Sequence, residues 1–232
     1  METRECLRRI INALSEQGYV FSNGVQLYYC NPDNLKQIED KFGEPLTLSR
    51  FQGDMYSIAR ELPEILLFPW RYIAPKPIFH SILGETQGIL SVVGIVPIQN
   101  LSQFDTNSVF NRFDDAVFKL LRKYPWNNDN GVTYGTLMLL FVHSKDIQRF
   151  NGSIRKNYRA HIFKNTFIST ISIDCEAETL TQGRAGLCFK WNGGIDVSRL
   201  KEHVFNGICK NNQLLDKMIA DIEEGDFSSG EV

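Results

Sequence analysis

The chain has 232 residues, of which 43% are hydrophobic and 22% charged, and its formal net charge is -2. This size predicts one large domain or one domain with a small lobe, and the composition excludes disorder along the whole chain. The nearly neutral charge excludes a general attraction to nucleic acid or anionic lipid, so any such binding needs a local patch.

The cysteines and the N-terminus predict a compartment. The five cysteines are Cys6, Cys30, Cys175, Cys188 and Cys209. Their odd number, wide scatter and lack of a C-x-x-C pair argue against a disulfide framework and a zinc site, and favour a reducing cytoplasm. No apolar run reaches the roughly 18 residues of a spanning helix, and the N-terminus lacks the apolar core of a signal peptide. We therefore expect a cytoplasmic protein without membrane contact.

Residues 1–43 are predicted to form a small α-β-β-α group. A helix over 3–17 carries one apolar face and ends at Gly18. Asn23-Gly24 favours the positive φ angles of a tight hairpin turn, and a second helix completes the group. The group is either a separate lobe or the edge of the main sheet, and we favour the edge. Residues 44–225 are predicted to form the main α+β domain.

Residues 44–88 combine prolines with large apolar side chains. A helix is predicted over 51–62 and a strand over 65–68. The segment is broken by Pro63, Pro69, Pro75 and Pro77. Around Trp70 and Tyr72 the pattern favours a loop packed against the core; the alternative is an aromatic ledge that binds a partner.

Two apolar runs, at residues 89–97 and 132–143, flank an amphipathic helix. Neither run alternates with polar residues, which is typical of strands buried on both faces. Apolar residues of the intervening helix recur at the three-and-four spacing of one face, namely Val109, Phe110, Phe113, Val117, Leu120, Leu121 and Tyr124. The predicted fold class is α+β (mixed α/β), with a mixed sheet built on a central β-α-β unit (89–143).

An antiparallel hairpin is predicted over residues 168–191. Apolar and acidic residues alternate up to Glu178, as on a strand with one wet face. The preferred register pairs Glu178 with Gly186 and Asp174 with Lys190, because a slip of one residue would expose the aromatic side chains.

The C-terminal part begins with a predicted long helix over residues 197–222. Gly207 or Asn211-Asn212 is expected to kink this helix or split it in two. Residues 226–232 contain too few apolar side chains to order themselves and are predicted to be a disordered acidic tail.

Residues 145–164 give the one indication of a ligand. They hold six basic residues against a single acid, Asp146. Lysine and arginine neutralise phosphates while aromatic faces stack on bases. The candidate nucleic-acid-binding residues are Arg149, Arg155, Lys156, Tyr158, Arg159 and Lys164. The alternative is an ordinary solvated helix face, paired in part with the C-terminal acids.

Three carboxylates on one predicted strand, Asp174, Glu176 and Glu178, suggest a metal-dependent nuclease with Lys190 as an electrostatic helper. The ordinary explanation is the wet face of an antiparallel strand. Side chains two apart on a strand stand roughly 7 Å from each other, too far for all three to hold one ion. No metal or other cofactor is therefore predicted.

Motifs for catalysis do not occur: the chain has no G-x-S-x-G elbow, Walker loop or G-x-G-x-x-G fingerprint. His143 ends a central strand, where active sites of open α/β sheets lie, but no catalytic residue is predicted. The preferred function is a non-catalytic cytosolic interaction or regulatory protein acting through protein–protein contacts. Nucleic-acid or polyanion binding is the second hypothesis and a metal-dependent nuclease the third. The sequence carries no signal for the oligomeric state.

Overall fold

The computed structural model describes helices and strands in both halves of the chain, so the expected mixture of helix and strand is confirmed. It describes residues 3–22, 27–29, 45–62, 69–73, 89–97, 106–123, 134–143, 166–183, 195–207, 216–217 and 219–220. Predictions for a helix before Gly43, a strand over 65–68 and the tail over 226–232 lie outside these residues.

Four helices are described: α1 (Thr3–Glu16), α2 (Pro45–Arg60), α3 (Thr106–Lys123) and α4 (Val197–Asn206). The strands are β1 (Phe21–Ser22), β2 (Leu27–Tyr29), β3 (Trp70–Ile73), β4 (Ile89–Pro97), β5 (Tyr134–His143), β6 (Thr166–Asp174) and β7 (Thr179–Gly183). Gly18 ends α1 with a φ of 85°, a left-handed conformation that glycine adopts without steric cost.

The main sheet has five strands in the order β3-β4-β5-β6-β7. β4, β5 and β6 run parallel to one another, whereas β3 and β7 pair antiparallel at the two edges. β4 shows why its sequence does not alternate: residues 91–96 are all buried, including neighbours that point to opposite faces. Both faces of this strand are therefore covered.

One face of the sheet is covered by α1 and α4. Their apolar side chains share a single core cluster with Val93 and Ile95 of β4 and with Ile171 and Ile173 of β6. The apolar face predicted for the first helix is the face that α1 buries here, through Leu7, Ile10, Ile11 and Leu14. The N-terminal helix is thus part of the main core.

The opposite face is covered by α2 and α3, which contact each other. Phe51 of α2 meets Trp70 of β3 edge to face, with ring centroids 4.8 Å apart. Trp70 lies beside Val92 in the strand register, and α3 buries Phe113 and Leu120. Helices therefore sandwich the sheet from both sides.

The loop interpretation of the residues around Trp70 is wrong. Residues 70–73 form β3, and Trp70 is only 1% exposed, so its ring fills the core and offers no ledge to a partner. Val20 forms an isolated antiparallel bridge with Trp70, through hydrogen bonds of 2.8 and 3.1 Å. The small β1–β2 sheet is thereby linked to the edge of the main sheet.

The hairpin register predicted from the alternation is also wrong. β6 ends at Asp174, which pairs with Thr179, and residues 175–178 form the turn. Glu178 thus belongs to the turn and does not pair with Gly186. Acidic and apolar residues alternate through the turn as they would along a strand, so the pattern alone extends β6 too far.

The long C-terminal helix is interrupted. α4 ends at Asn206, since Gly207 has extended backbone angles (φ -74°, ψ 146°). A Cβ atom at Gly207 would collide with the carbonyl oxygen of His203, to which the Gly207 amide donates a hydrogen bond of 3.2 Å. Residues 216, 217, 219 and 220 are helical again.

One pair of cysteines forms a disulfide, which the argument against a disulfide framework did not predict. Cys6 of α1 and Cys175, which follows β6, are joined although 169 positions separate them in sequence. Scatter along the chain hides this pair because the packing of α1 on the sheet brings the two residues together.

Candidate functional site

The carboxyl ends of the three parallel strands meet at one edge of the sheet. Pro97 lies beside Val142, and His143 lies beside Asp174. Open α/β sheets bind their ligands at this edge, just outside the strand ends. We call it the carboxyl edge, and it is the first place to look for a functional site.

The carboxylate of Asp174, at the carboxyl edge, makes hydrogen bonds to the turn that follows β6. Its Oδ1 atom accepts hydrogen bonds of 2.9 Å from the backbone amides of Glu176 and Ala177. Such bonds from an aspartate to amides two and three residues ahead fix the start of a turn. The carboxylate is thus already engaged in shaping the β6–β7 turn.

The three carboxylates do not share one strand face. Asp174 ends β6, whereas Glu176 and Glu178 belong to the turn, and both are exposed. Among the described residues, which include all three acids, no group of three or more His, Cys, Asp or Glu side chains is placed to hold a metal ion. The geometric premise of the nuclease hypothesis is therefore absent.

The last turn residue, Glu178, has a φ of 51°. Non-glycine residues in this left-handed region carry a cost of about 1 kcal/mol or more. Hairpin loops built on a type I turn can end on a residue in this conformation. The turn thus holds an exposed glutamate whose backbone is left-handed.

A second cluster of polar groups lies along the contact between α1 and α4. The side chain of Gln17 makes two hydrogen bonds to the backbone of Asp196, just before α4. Its Oε1 accepts from the Asp196 amide at 2.9 Å, and its Nε2 donates to the Asp196 carbonyl oxygen at 3.4 Å. Asp196 caps α4 through a hydrogen bond of 3.0 Å from the Arg199 amide. At the other end, Arg9 donates to the carbonyl oxygens of Val204 and Phe205 at 3.2 and 3.4 Å.

His203 is held between two acceptors. Its Nε2 atom lies 2.8 Å from a carboxylate oxygen of Glu16, and its Nδ1 atom lies 2.8 Å from the Arg199 carbonyl oxygen. A general base needs one ring nitrogen turned toward a substrate. In His203 both nitrogens are engaged within the fold, so the Glu16–His203 pair fastens α1 to α4.

A third cluster of polar groups lies where the chain leaves α1 and meets β3 and β4. The hydroxyl groups of Tyr19 and Ser91 share a hydrogen bond of 2.8 Å, and the Arg71 guanidinium lies 4.6 Å from the centre of the Tyr19 ring. Arg71 also donates to the carbonyl oxygen of Gln17. Burial raises the pKa of Tyr19, and the positive charge of Arg71 and the hydrogen bond with Ser91 offset part of this rise. Tyr19 therefore stays neutral and links α1 to β3 and β4.

The candidate nucleic-acid-binding residues all lie outside the described residues. These are Arg149, Arg155, Lys156, Tyr158, Arg159 and Lys164. The structure does place the two ends of their segment: β5 ends at His143, at the carboxyl edge, and β6 begins at Thr166, at the opposite edge. Phosphate binding by these residues stays a prediction.

Sequence reasoning missed the Cys6–Cys175 pair, the Glu16–His203 contact and the Tyr19 cluster. The members of each pair lie far apart in the chain, and no local spacing relates them. One signal was present for Asp174, since aspartate is a frequent turn-initiating residue.

Among the helices that the structure describes, none has the length and apolar content needed to cross a bilayer. Comparison of the chain with protein-family models, with curated proteins and with solved structures finds no match.

Proposed function

We propose that this chain is a non-catalytic interaction or regulatory protein of the cytoplasm, acting through protein–protein contacts. One observation carries the proposal: His203 and Asp174, two described residues of types that serve acid–base chemistry, are already engaged within the fold. Both ring nitrogens of His203 face internal acceptors, and Asp174 accepts two backbone amides. Groups committed in this way support a scaffold that presents a surface.

The scaffold of the proposal is a mixed sheet with the β-α-β unit of residues 89–143 at its centre. β4 pairs in parallel with residues 134–142 of β5, and α3 lies between the two strands in the chain. Parallel strands covered on both faces make a rigid platform. Loops and turns at the strand ends are then free to differ in chemistry without altering the core.

The partner surface we propose is the β6–β7 turn at the carboxyl edge. Glu176 and Glu178 are exposed there, and the hydrogen bonds to Asp174 hold the turn in one shape. A preformed turn binds with little loss of conformational entropy. Two exposed carboxylates suit a basic protein surface and speed its encounter through charge attraction.

The test is affinity purification of the tagged full chain from native extract, with protein partners counted by stoichiometry. A single stoichiometric partner is expected, and Glu176→Gln/Glu178→Gln should weaken its retention as salt is raised. Glu202→Gln is the matched control, because Glu202 is an exposed glutamate that belongs to α4 and not to the turn. Equal retention of the partner by all three proteins would contradict the proposed surface. Mg²⁺-dependent cleavage of nucleic acid that is lost in Asp174→Ala would contradict the non-catalytic function.

The second candidate is nucleic-acid or polyanion binding by residues 145–164. The observation that favours it is the excess of six basic residues over one acid in this segment. Binding of DNA or heparin should weaken steeply with salt and fall in Arg155→Ala/Arg159→Ala. Lys201→Ala, at an exposed base on α4, is the control. Binding that is insensitive to salt, or equal in both variants, would exclude this candidate.

A further inference from the structure

The Cys6–Cys175 bond joins the N-terminal helix to the carboxyl edge of the sheet. The Cα atoms of the pair lie 6.1 Å apart, within the usual range for a disulfide. Cys6 is 0% and Cys175 1% exposed, and both belong to the core cluster between the α1–α4 layer and the sheet. Cys175 is the first residue of the β6–β7 turn.

Apart from the disulfide, this end of α1 is held by Leu7, which is buried in the core, by Arg9, which donates to the carbonyl oxygens of Val204 and Phe205, and by ion pairs of Arg8. Arg8 pairs with Asp216 at 2.6 Å and with Glu5 at 3.6 Å, and the side chains involved are 27–48% exposed. Ion pairs at such exposure contribute little to stability. The apolar residues that anchor α1 most deeply, such as Ile11 and Leu14, lie further along the helix. Most of the fully buried apolar residues of α1 lie beyond its first two turns, so the disulfide contributes relatively more to holding these two turns than to holding the rest of the helix.

We infer that the Cys6–Cys175 pair is a redox latch. In the disulfide form it fastens the start of α1 to the β6–β7 turn, and in the dithiol form this end of α1 opens from the sheet. The inference does not depend on the proposed partner. The cytoplasmic location belongs to the proposed function; in such a reducing compartment, disulfides of mesophiles are usually transient and serve catalysis or redox sensing.

The latch closes by thiol–disulfide exchange with a small disulfide such as oxidised glutathione. The thiolate of one cysteine attacks the small disulfide, forms a mixed disulfide and releases one glutathione thiolate. The thiolate of the second cysteine then attacks the protein sulfur of that mixed disulfide and releases the second glutathione thiolate. Two electrons pass from the protein to glutathione, and the two protons of the protein thiols end on the two glutathione thiols.

Burial sets the rate of this exchange. Because both sulfur atoms lie in the core, a reductant or an oxidant reaches them only after the start of α1 opens. Reduction of the native protein should therefore be slow, and denaturant below the unfolding midpoint should speed it. An exposed disulfide would instead react at a rate that local opening does not limit.

The test uses the full-length protein, equilibrated with oxidised or with reduced glutathione. Alkylation after denaturation, followed by mass spectrometry of peptides, counts the free thiols. The latch predicts three alkylated cysteines in the oxidised protein, with Cys6 and Cys175 linked, and five in the reduced protein. Five free thiols in both states, or a bond between other cysteines, would overturn the inference.

Hydrogen exchange of the same two samples tests the opening. Amides at the start of α1 should exchange about tenfold faster or more in the reduced protein, whereas amides of β4 should not change. Reduced wild-type protein serves as the open state, so the test does not depend on a variant that fails to fold. Cys6→Ser should match the reduced wild type under oxidising conditions, and Cys209→Ser should match the oxidised wild type. Equal α1 exchange in the two redox states would overturn the latch even where the disulfide forms.

Discussion

The two helix layers of this protein differ in the covalent and polar links that the structure describes in them. The α1–α4 layer carries directional links: a disulfide, the Gln17–Asp196 pair of hydrogen bonds and the Glu16–His203 contact. The α2–α3 layer is joined to the sheet by ring packing of Phe51 on Trp70, with the Lys123–Asp54 ion pair nearer the surface. Both layers bury apolar side chains, and the α1–α4 layer adds a disulfide and several hydrogen bonds between distant segments of the chain.

The difference follows from which parts of the chain each layer joins. α1 and α4 come from opposite ends of the sequence, and the hydrogen bonds between them connect residues 179 or more positions apart. Bringing such distant segments together costs conformational entropy, and fixed polar partners specify one arrangement of them. We therefore expect a change of redox state to act on the α1–α4 layer and not on the α2–α3 layer, in which no described link is a disulfide.

The largest effect is expected from Phe51→Ala in the α2–α3 layer. The variant should lose about 3–5 kcal/mol of unfolding free energy, because a buried ring is removed and a cavity is left against Trp70. Urea unfolding measures this loss. The loss should be equal in oxidised and reduced protein, since Phe51 is remote from the cysteine pair. A loss that differs between oxidised and reduced protein would contradict the claim that the two layers contribute to stability independently.

Tyr19→Phe should cost about 1–2 kcal/mol, since the hydrogen bond with Ser91 is lost inside the core. A double-mutant cycle with Ser91→Ala isolates the pair, and we expect a coupling energy of about 1 kcal/mol. Additive losses in the two single variants would show that the hydroxyl–hydroxyl contact contributes nothing of its own.

The same tyrosine predicts a loss of stability at alkaline pH. The pKa of Tyr19 is raised in the folded state above its ordinary value of 10.0. Its contribution is therefore fully present below pH 10 and falls as the pH rises toward the folded-state pKa, because the unfolded chain ionises first. Unfolding of wild type and Tyr19→Phe from about pH 9 to pH 11 measures this, and the gap between them should narrow above pH 10. A constant gap would contradict the raised pKa.

The smallest losses of unfolding free energy are expected when one polar contact is removed from each layer. Glu16→Gln weakens the half-buried partner of His203 and should cost about 0.5–1 kcal/mol. Lys123→Ala removes an ion pair whose lysine is 59% exposed, and should cost less than about 0.5 kcal/mol. Thermal unfolding at low and high salt ranks the two. A larger cost for Lys123→Ala would reverse the comparison.

Local pattern predicted much of the secondary structure. The apolar run over 89–97 corresponds to β4, and the amphipathic residues from Thr3 to Glu16 form α1, because burial on two faces or on one face leaves a direct trace in the sequence. The pattern is misleading at residues 175–178, where apolar or small residues alternate with acids in a turn as they would in a strand. It is also misleading at Trp70, where prolines on both sides concealed a short edge strand.

The candidate sites were harder to predict because their members come from distant segments. Cys6 lies beside Cys175, and Glu16 beside His203, because α1 packs on the sheet and on α4. Asp174 was noticed for its charge, but its role depends on two amides of a turn that the alternation concealed.

Asp174 gives the most direct test of the claim that titratable side chains engaged within the fold serve to stabilise it. Urea unfolding should place Asp174→Ala about 1–2 kcal/mol below wild type, since two backbone amides lose their acceptor. Asp174→Asn keeps one acceptor oxygen and should fall between the two. Catalytic carboxylates are commonly kept at a cost to stability. A gain of stability in both variants would therefore contradict the account, whereas the order wild type, Asp174→Asn, Asp174→Ala is the result it predicts.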